Sequence, residues 1–200
     1  MKRIFICGVV LIVLNGTARA GSAIYTFSGT GSGSLDAIPF SDVAFTITST
    51  ADTANIGLGT PFGIWVVPDI ETTISISGIG SAAFTIPTET IINFEVGGVS
   101  VSAPNQYIDI LGIKNAAFFS SDFTSPQGYT LSSSVSQVTG LLYIPAPSSG
   151  FTFETTAGAF HMSSISSASY QADIVPEPSM FAMFSMGLIG LTFLGRVHKT

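Results

Sequence analysis

Apolar and hydroxyl-bearing side chains alternate with a period of two through most of residues 21 to 174. Val43, Phe45 and Ile47 alternate with Ala or Thr, and the same pattern recurs around Ile74 and Phe94. Because successive side chains of a β-strand point to opposite faces, this pattern predicts half-buried strands. Clusters of turn-forming residues separate the strand-like stretches, at 29–34, 57–61, 78–80, 97–98 and 145–150.

Many short strands without an amphipathic helical pattern predict an all-β body. We expect a single antiparallel β-sandwich of about ten strands with a Phe-rich interior, and 154 residues suffice for a core. Trp65, in an apolar stretch, is predicted to lie in that core. Gly29–Gly33 lacks the remaining residues of a dinucleotide or phosphate-binding loop, so it predicts a flexible turn.

The charge of the body excludes one large class of partners. Lys114 is the one Lys or Arg between residues 21 and 174, against eleven acids, which gives a net charge of −10. Without a basic patch the body is not expected to bind nucleic acid. Charged residues are 9% of the chain, against about 25% in ordinary domains. Strand edges therefore lack the lysines that block edge-to-edge pairing, which suits an associating surface or an ordinary hydroxyl-rich exported protein.

The first twenty residues have the pattern of a secretory signal peptide. Lys2 and Arg3 precede an apolar stretch of 11 residues, Ile4–Leu14, which is too short to span a bilayer as a helix. Small residues at Ala18 and Ala20 predict cleavage by signal peptidase before Gly21. The mature chain would then contain no cysteine, since Cys7 lies in the apolar stretch, and it would form no disulfide.

The last 26 residues contain a second set of signals. Pro176 and Pro178 hold a short polar motif extended, and an apolar segment follows at residues 180–195. Sixteen helical residues rise about 24 Å, which is short for a hydrocarbon core of about 30 Å. We expect this helix to lie in the membrane at least transiently. The basic end would stay in the cytoplasm, through Arg196, His198 and Lys199.

The motif Val175-Pro176-Glu177-Pro178-Ser179, followed by a Gly-containing apolar helix and a basic end, resembles the PEP-CTERM sorting domain of Gram-negative bacteria. The resemblance implies export, sorting through the inner membrane and processing near this motif by an exosortase, a membrane-embedded cysteine transpeptidase. It implies delivery to the cell surface or the extracellular polysaccharide matrix of a biofilm. The basic end is sparser than the family's usual Arg/Lys cluster. The domains would then be a signal peptide (1–20), a β-sandwich (21–174) and a sorting segment (175–200).

The body offers little chemistry, and we predict no catalytic residue, no metal site and no cofactor. His161 is its one histidine, placed by alternation on a polar face and expected to be non-catalytic. One histidine without cysteine makes zinc improbable. Calcium is the milder alternative, at acids in or near turns, although no EF-hand pattern is present. The pairs considered for it are Asp36 with Asp42, Asp52 with Asn55, and Asp69 with Glu71.

Three functions remain for the body. The first is a non-enzymatic structural or interaction domain of an exported protein. The second is a carbohydrate-binding module for extracellular polysaccharide, and the third is a weak glycan hydrolase, which requires two carboxylates in one cleft. Nothing in their spacing selects a pair among the outward-facing acids Glu95, Asp109, Glu154 and Asp173.

Overall fold

A computed structural model describes residues 21–59, 64–93, 96–104, 108–115, 118, 129–143 and 151–175, with side chains at 141–143 excepted. Strands make up 75% of these residues, and Thr53–Asn55 forms a 3-10 turn. The strands are β1 (Ser22–Leu35), β2 (Ile38–Asp52), β3 (Gly57–Leu58), β4 (Ile64–Ile76), β5 (Gly80–Ala83), β6 (Glu89–Asn93), β7 (Gly98–Ala103), β8 (Ile108–Lys114), β9 (Val135–Thr139), β10 (Leu141–Tyr143), β11 (Phe153–Thr155) and β12 (Gly158–Val175).

All of these strands pair antiparallel in one curled sheet, whose main order is β10-β8-β7-β6-β4-β2-β1-β12-β11. The all-β antiparallel class predicted from the alternation is therefore confirmed. The predicted signal peptide, the sorting motif from Pro176 to Ser179 and the apolar segment 180–195 lie outside the described residues. Within the described part of the chain, no helix combines the length and hydropathy needed to cross a membrane.

The sheet curls because β4 exchanges partners along its length. Ile64–Pro68 pairs with β6, whereas Asp69–Ile76 pairs with β2. The pairing of β4 with β2 shifts register at this point, from Thr50 opposite Glu71 to Ala51 opposite Asp69, which leaves Ile70 of β4 as the extra residue. Such bulges increase local twist and bend a strand. We call the stretch Pro68–Asp69 the β4 corner.

The curl is continued where β9 passes into β10. β9 pairs with β12, and after the single residue Gly140 the chain pairs with β8 as β10. A Cβ atom at Gly140 would lie 2.2 Å from the carbonyl oxygen of Lys114, so the close approach of the chains requires glycine. The sheet thus continues from β12 through β9 and β10 to β8. The outer edges of β12 and β8 are therefore paired, although the scarcity of lysine in the sequence had suggested open strand edges.

The glycine-rich stretch Gly29–Gly33 is part of β1, so the prediction of a flexible turn there was wrong. Glycine is needed because β12 lies against it: a Cβ at Gly29 would lie 2.2 Å from the carbonyl oxygen of Ser167. The turn comes later, at Asp36 and Ala37, where both residues have positive φ, 48° and 61°. Two consecutive residues of this conformation match the twist of a tight hairpin.

The inner face of the curled sheet carries the core. Tyr170 is fully buried, and its ring lies 5.0 Å from Phe27 and 5.7 Å from Phe118, measured between centroids. Its hydroxyl shares a hydrogen bond of 2.8 Å with Tyr129, which satisfies two polar groups that burial would otherwise leave costly. Trp65 is half-buried and packs against this core, as predicted.

Candidate functional site

The outer face of β6, β7 and β8 carries a row of polar side chains. Cross-strand pairing places Glu89 opposite Ser102, and Ser102 opposite Asp109. The next outward row along the same strands contains Ile91 and Ser100. Because directly opposed residues share a face of the sheet, these side chains form one surface, which we call the outer groove.

Asp109 is the hydrogen-bonding centre of the outer groove. The hydroxyl of Ser100 donates to its Oδ1 atom at 3.0 Å, and the hydroxyl of Ser102 donates to the same atom. A register shift between Val101 and Ser102 brings both serines to one carboxylate. Both serines are buried, at 8% and 3% exposure, so these bonds also satisfy hydroxyls that have lost water.

Glu89 adds a second carboxylate to the outer groove. Two strand spacings separate it from Asp109, about 10 Å between Cα atoms. Burial raises the pKa of the Glu89 carboxyl, and the neighbouring negative charge of Asp109 raises it further. The lysine of the body, Lys114, lies at the other end of these strands, opposite Gly98. The groove is therefore acidic at one end and basic at the other.

A pocket of about 220 Å³ opens beside the carboxylate of Asp109. Gly98 and Gly112 lie in its wall and leave it room by their lack of side chains. Its polar and apolar lining includes Asn93, Ser100 and Asp109 together with Ile64, Ile91 and Ile113. Apolar walls with a few placed hydrogen-bonding groups are typical of small-ligand sites, and this volume matches a group smaller than a drug-sized ligand.

Three of the four acids considered from the sequence lie in the described part of the chain, and they lie on different strands. Asp109 lies in the outer groove, whereas Glu154 is exposed on β11 and Asp173 is exposed on β12. Glu95 lies outside the described residues. The partner of Asp109 is Glu89, which the sequence did not single out, although its position two residues before Ile91 in an alternating stretch places it on that face.

His161 lies elsewhere, half-buried on β12 opposite Ser34 of β1. Trp65 lies on β4 opposite Ile92 of β6. Alternation along β6 therefore places it on the face opposite to Glu89, away from the outer groove. Neither residue joins the acids of the outer groove.

The pairs considered for calcium are used in other ways. Asp52 caps the 3-10 turn, where its Oδ1 atom accepts the backbone N–H of Ala54 at 2.8 Å. Asp36 lies in the β1–β2 turn, and the backbone N–H of Asp42 donates to Ser32. Among the described residues, no three acids, histidines or cysteines are grouped closely enough to hold a metal ion.

Comparison with protein-family models, with curated proteins and with solved structures finds no significant match to this chain.

Proposed function

We propose that this chain is an exported cell-surface or extracellular-matrix protein, sorted by its C-terminal segment and processed by an exosortase-type transpeptidase. The observation that carries the proposal is the order of three elements at the C-terminus. Val175-Pro176-Glu177-Pro178-Ser179 comes first, then the apolar segment 180–195, then the basic end. The secretory signal at the N-terminus supplies the export that such sorting requires.

The limits of the folded body support this proposal. β1 begins at Ser22, one residue after the expected signal cleavage, and β12 ends at Val175, directly before Pro176. Ser22 and Val175 pair with each other in the sheet. Both expected processing positions therefore adjoin the same end of one strand pair.

We interpret the curled sheet as the two layers of a β-sandwich, one built on β2, β1 and β12 and the other on β6, β7 and β8. β12 and β8 belong to different layers in this interpretation, and they approach each other where β9, paired with β12, passes into β10, paired with β8. In this view the body is a non-enzymatic domain for display and interaction, with the layer of β6 to β8 presenting the outer groove.

Deleting residues 176–200 tests the sorting proposal. We expect the truncated protein to be released into the periplasm or medium instead of reaching the surface, while the full chain arrives there with a shortened C-terminus. A matched control replaces Asp173, exposed on the last strand, with Asn and leaves the sorting segment intact. Equal location of the deletion variant and the full chain would overturn the proposal.

A second candidate function is binding of extracellular polysaccharide at the outer groove. The observation that favours it is the Asp109 carboxylate, fixed by two serines beside a pocket with apolar walls. Carboxylate oxygens accept hydrogen bonds from sugar hydroxyls, and such charge-assisted bonds are the strong ones. The apolar wall can cover the C–H surface of a sugar ring.

A glycan array tests this second function with the full chain and two variants. Asp109→Ala is expected to lose binding, whereas Asp173→Ala, on a different strand, is expected to keep it. Equal binding by both variants, or no binding by the full chain, would exclude the outer groove as a glycan site. Release of new reducing ends would instead favour the hydrolase alternative, with Glu89 and Asp109 as its two carboxylates.

A further inference from the structure

Asp69 lies at the β4 corner and faces the interior of the curled sheet. It pairs with the buried Ala51 of β2 in the register of the sheet. Its backbone N–H donates to the carbonyl oxygen of Thr88 at 3.0 Å, just before β6 begins. The residue therefore lies where the two halves of the sheet join.

Hydroxyl groups from three segments converge on this carboxylate. Thr90 of β6 donates to Oδ1 at 2.9 Å, and Thr72 of β4 donates to Oδ2 at 3.2 Å. The Thr72 oxygen also lies 2.8 Å from the hydroxyl of Ser49 on β2 and 2.7 Å from that of Thr88. Ser49, Thr72, Thr88 and Thr90 are all buried. We call these five residues the Asp69 cluster.

Counting protons fixes the direction of these bonds when Asp69 is ionised. A hydroxyl has one hydrogen and two lone pairs. Thr72 uses its hydrogen for Asp69, so it must accept from both Ser49 and Thr88. Thr72 and Thr90 then point their hydrogens at the carboxylate, and Ser49 and Thr88 point theirs at the oxygen of Thr72. A protonated Asp69 instead needs an acceptor, which Thr90 supplies when its hydroxyl rotates, or Thr72 when Ser49 or Thr88 turns its hydrogen away from it.

The surroundings favour the neutral form of the carboxyl. Burial raises the pKa of Asp69 to about 6, and the nearby hydroxyls of Thr90, Thr88, Thr72 and Ser49 only partly oppose this rise.

The titratable neighbours of Asp69 on β1 and β12 are Tyr25 and Tyr170, whose own phenolic pKa values are raised chiefly by burial. Both tyrosines are thus neutral throughout the physiological range. Glu89, between Thr88 and Thr90, and Glu71 belong to the outer faces of β6 and β4.

We propose that the Asp69 cluster is a proton-operated clamp, which holds the two halves of the sheet together more strongly when Asp69 is protonated than when it is ionised. Ionisation leaves a negative charge in the interior, and that charge favours structures in which water reaches the β4 corner. The clamp is independent of the sorting signals and of any ligand in the outer groove. For an exported protein, it links the strength of the fold to the pH of its surroundings.

The direction of the pH effect follows from linkage. Asp69 has a higher pKa in the folded state than the ordinary value of 3.8, so the folded state binds the proton more strongly. The stabilisation is full below pH 3.8 and is lost as the pH rises through about 6. Raising the pH from 4.5 to 7.5 is therefore expected to lower the folding equilibrium constant about 25-fold through the ionisation of this carboxyl.

Urea unfolding of the full chain in neutral detergent, followed by Trp65 fluorescence, measures this effect. Trp65 is the single tryptophan of the chain and lies on β4, near the corner. The folding equilibrium constants of the wild type and of Asp69→Asn are compared at pH 4.5 and 7.5. We expect the part of the pH dependence that Asp69 contributes, about 25-fold, to disappear in the variant. Glu71→Gln, two residues away on the outer face of the same strand, is the control that keeps it.

A second variant covers the case in which Asp69→Asn does not fold. Thr90→Val removes one donor to the carboxylate while preserving the shape of the side chain. We expect it to raise the pKa of Asp69 and to move the loss of stability to higher pH. A wild-type pH dependence that Asp69→Asn leaves in place, or that Thr90→Val does not shift, would overturn the clamp.

Discussion

Substituting Gly29 with Ala should weaken the pairing of β1 with β12. The added Cβ would lie 2.2 Å from the carbonyl oxygen of Ser167 and 3.0 Å from the ring of Phe45. Backbone must therefore move by roughly 1 Å to restore an ordinary contact. Such a movement stretches neighbouring N–H···O bonds from about 2.9 Å to beyond hydrogen-bonding distance.

The cost can be assembled from these two effects. Overpacking contributes about 1–3 kcal/mol, and two weakened ladder bonds contribute about 0.5–1.5 kcal/mol each. Alanine also restricts the unfolded chain more than glycine does, which raises the free energy of unfolding by about 0.4–1 kcal/mol. The expected loss is about 3 kcal/mol, which lowers the melting temperature of a body of this size by about 10 °C.

Thermal unfolding followed by circular dichroism measures this loss, and Gly57→Ala is the matched control. Gly57 lies on the short strand β3, and an added Cβ there meets no atom within 4 Å, so its effect should stay within about 0.5 kcal/mol. If Gly29→Ala melted at the same temperature as Gly57→Ala, the stretch 29–33 would not be the close contact that we describe.

Three further outcomes are expected. Tyr25→Phe removes the hydrogen bond of 2.7 Å from its hydroxyl to the carbonyl oxygen of Leu131, which should cost about 1–3 kcal/mol in urea unfolding because that oxygen loses its phenolic donor. Phe160→Ala removes a fully buried ring and should cost about 3–5 kcal/mol in the same assay. Deleting residues 176–200 should change the unfolding midpoint little, because the last strand pair of the sheet is completed by Val175.

The alternation of side chains was sufficient to predict the strands and their buried faces. Phe45 and Ile47 are buried on β2, and Ile74 and Ile76 are buried on β4, as the period of two requires. This agreement has a physical cause: a strand with one apolar face can be buried in only one way. The turn near Gly78 was also predicted correctly, since Gly78 has a positive φ of 76°.

The β1–β2 connection was missed because glycine has two uses. In Gly29–Gly33 the missing side chains allow the backbone of β12 to approach closely. The local sequence does not distinguish a glycine needed for such a close approach from a glycine needed for a turn. The actual turn uses Asp36 and Ala37, without the Asn-Gly or Asp-Gly pair that predicts a tight hairpin.

The outer groove depends on register, which composition does not contain. Glu89 and Asp109 belong to one row only because β7 lies between their strands and shifts register after Val101. Asp69 was considered for calcium together with Glu71, as acids in or near a turn. The exchange of partners in β4 instead turns its carboxylate into the interior, toward Thr72 and Thr90.

The intact mass of the protein, taken from its native envelope or culture medium, tests the proposed function most directly. We predict a chain that begins at Gly21 and ends between Pro176 and Ser179, with or without an added group. Such a mass would establish processing at the motif that follows β12. A mass that extends from Gly21 to Thr200 would contradict it, because the C-terminal segment would then be a permanent part of the mature protein.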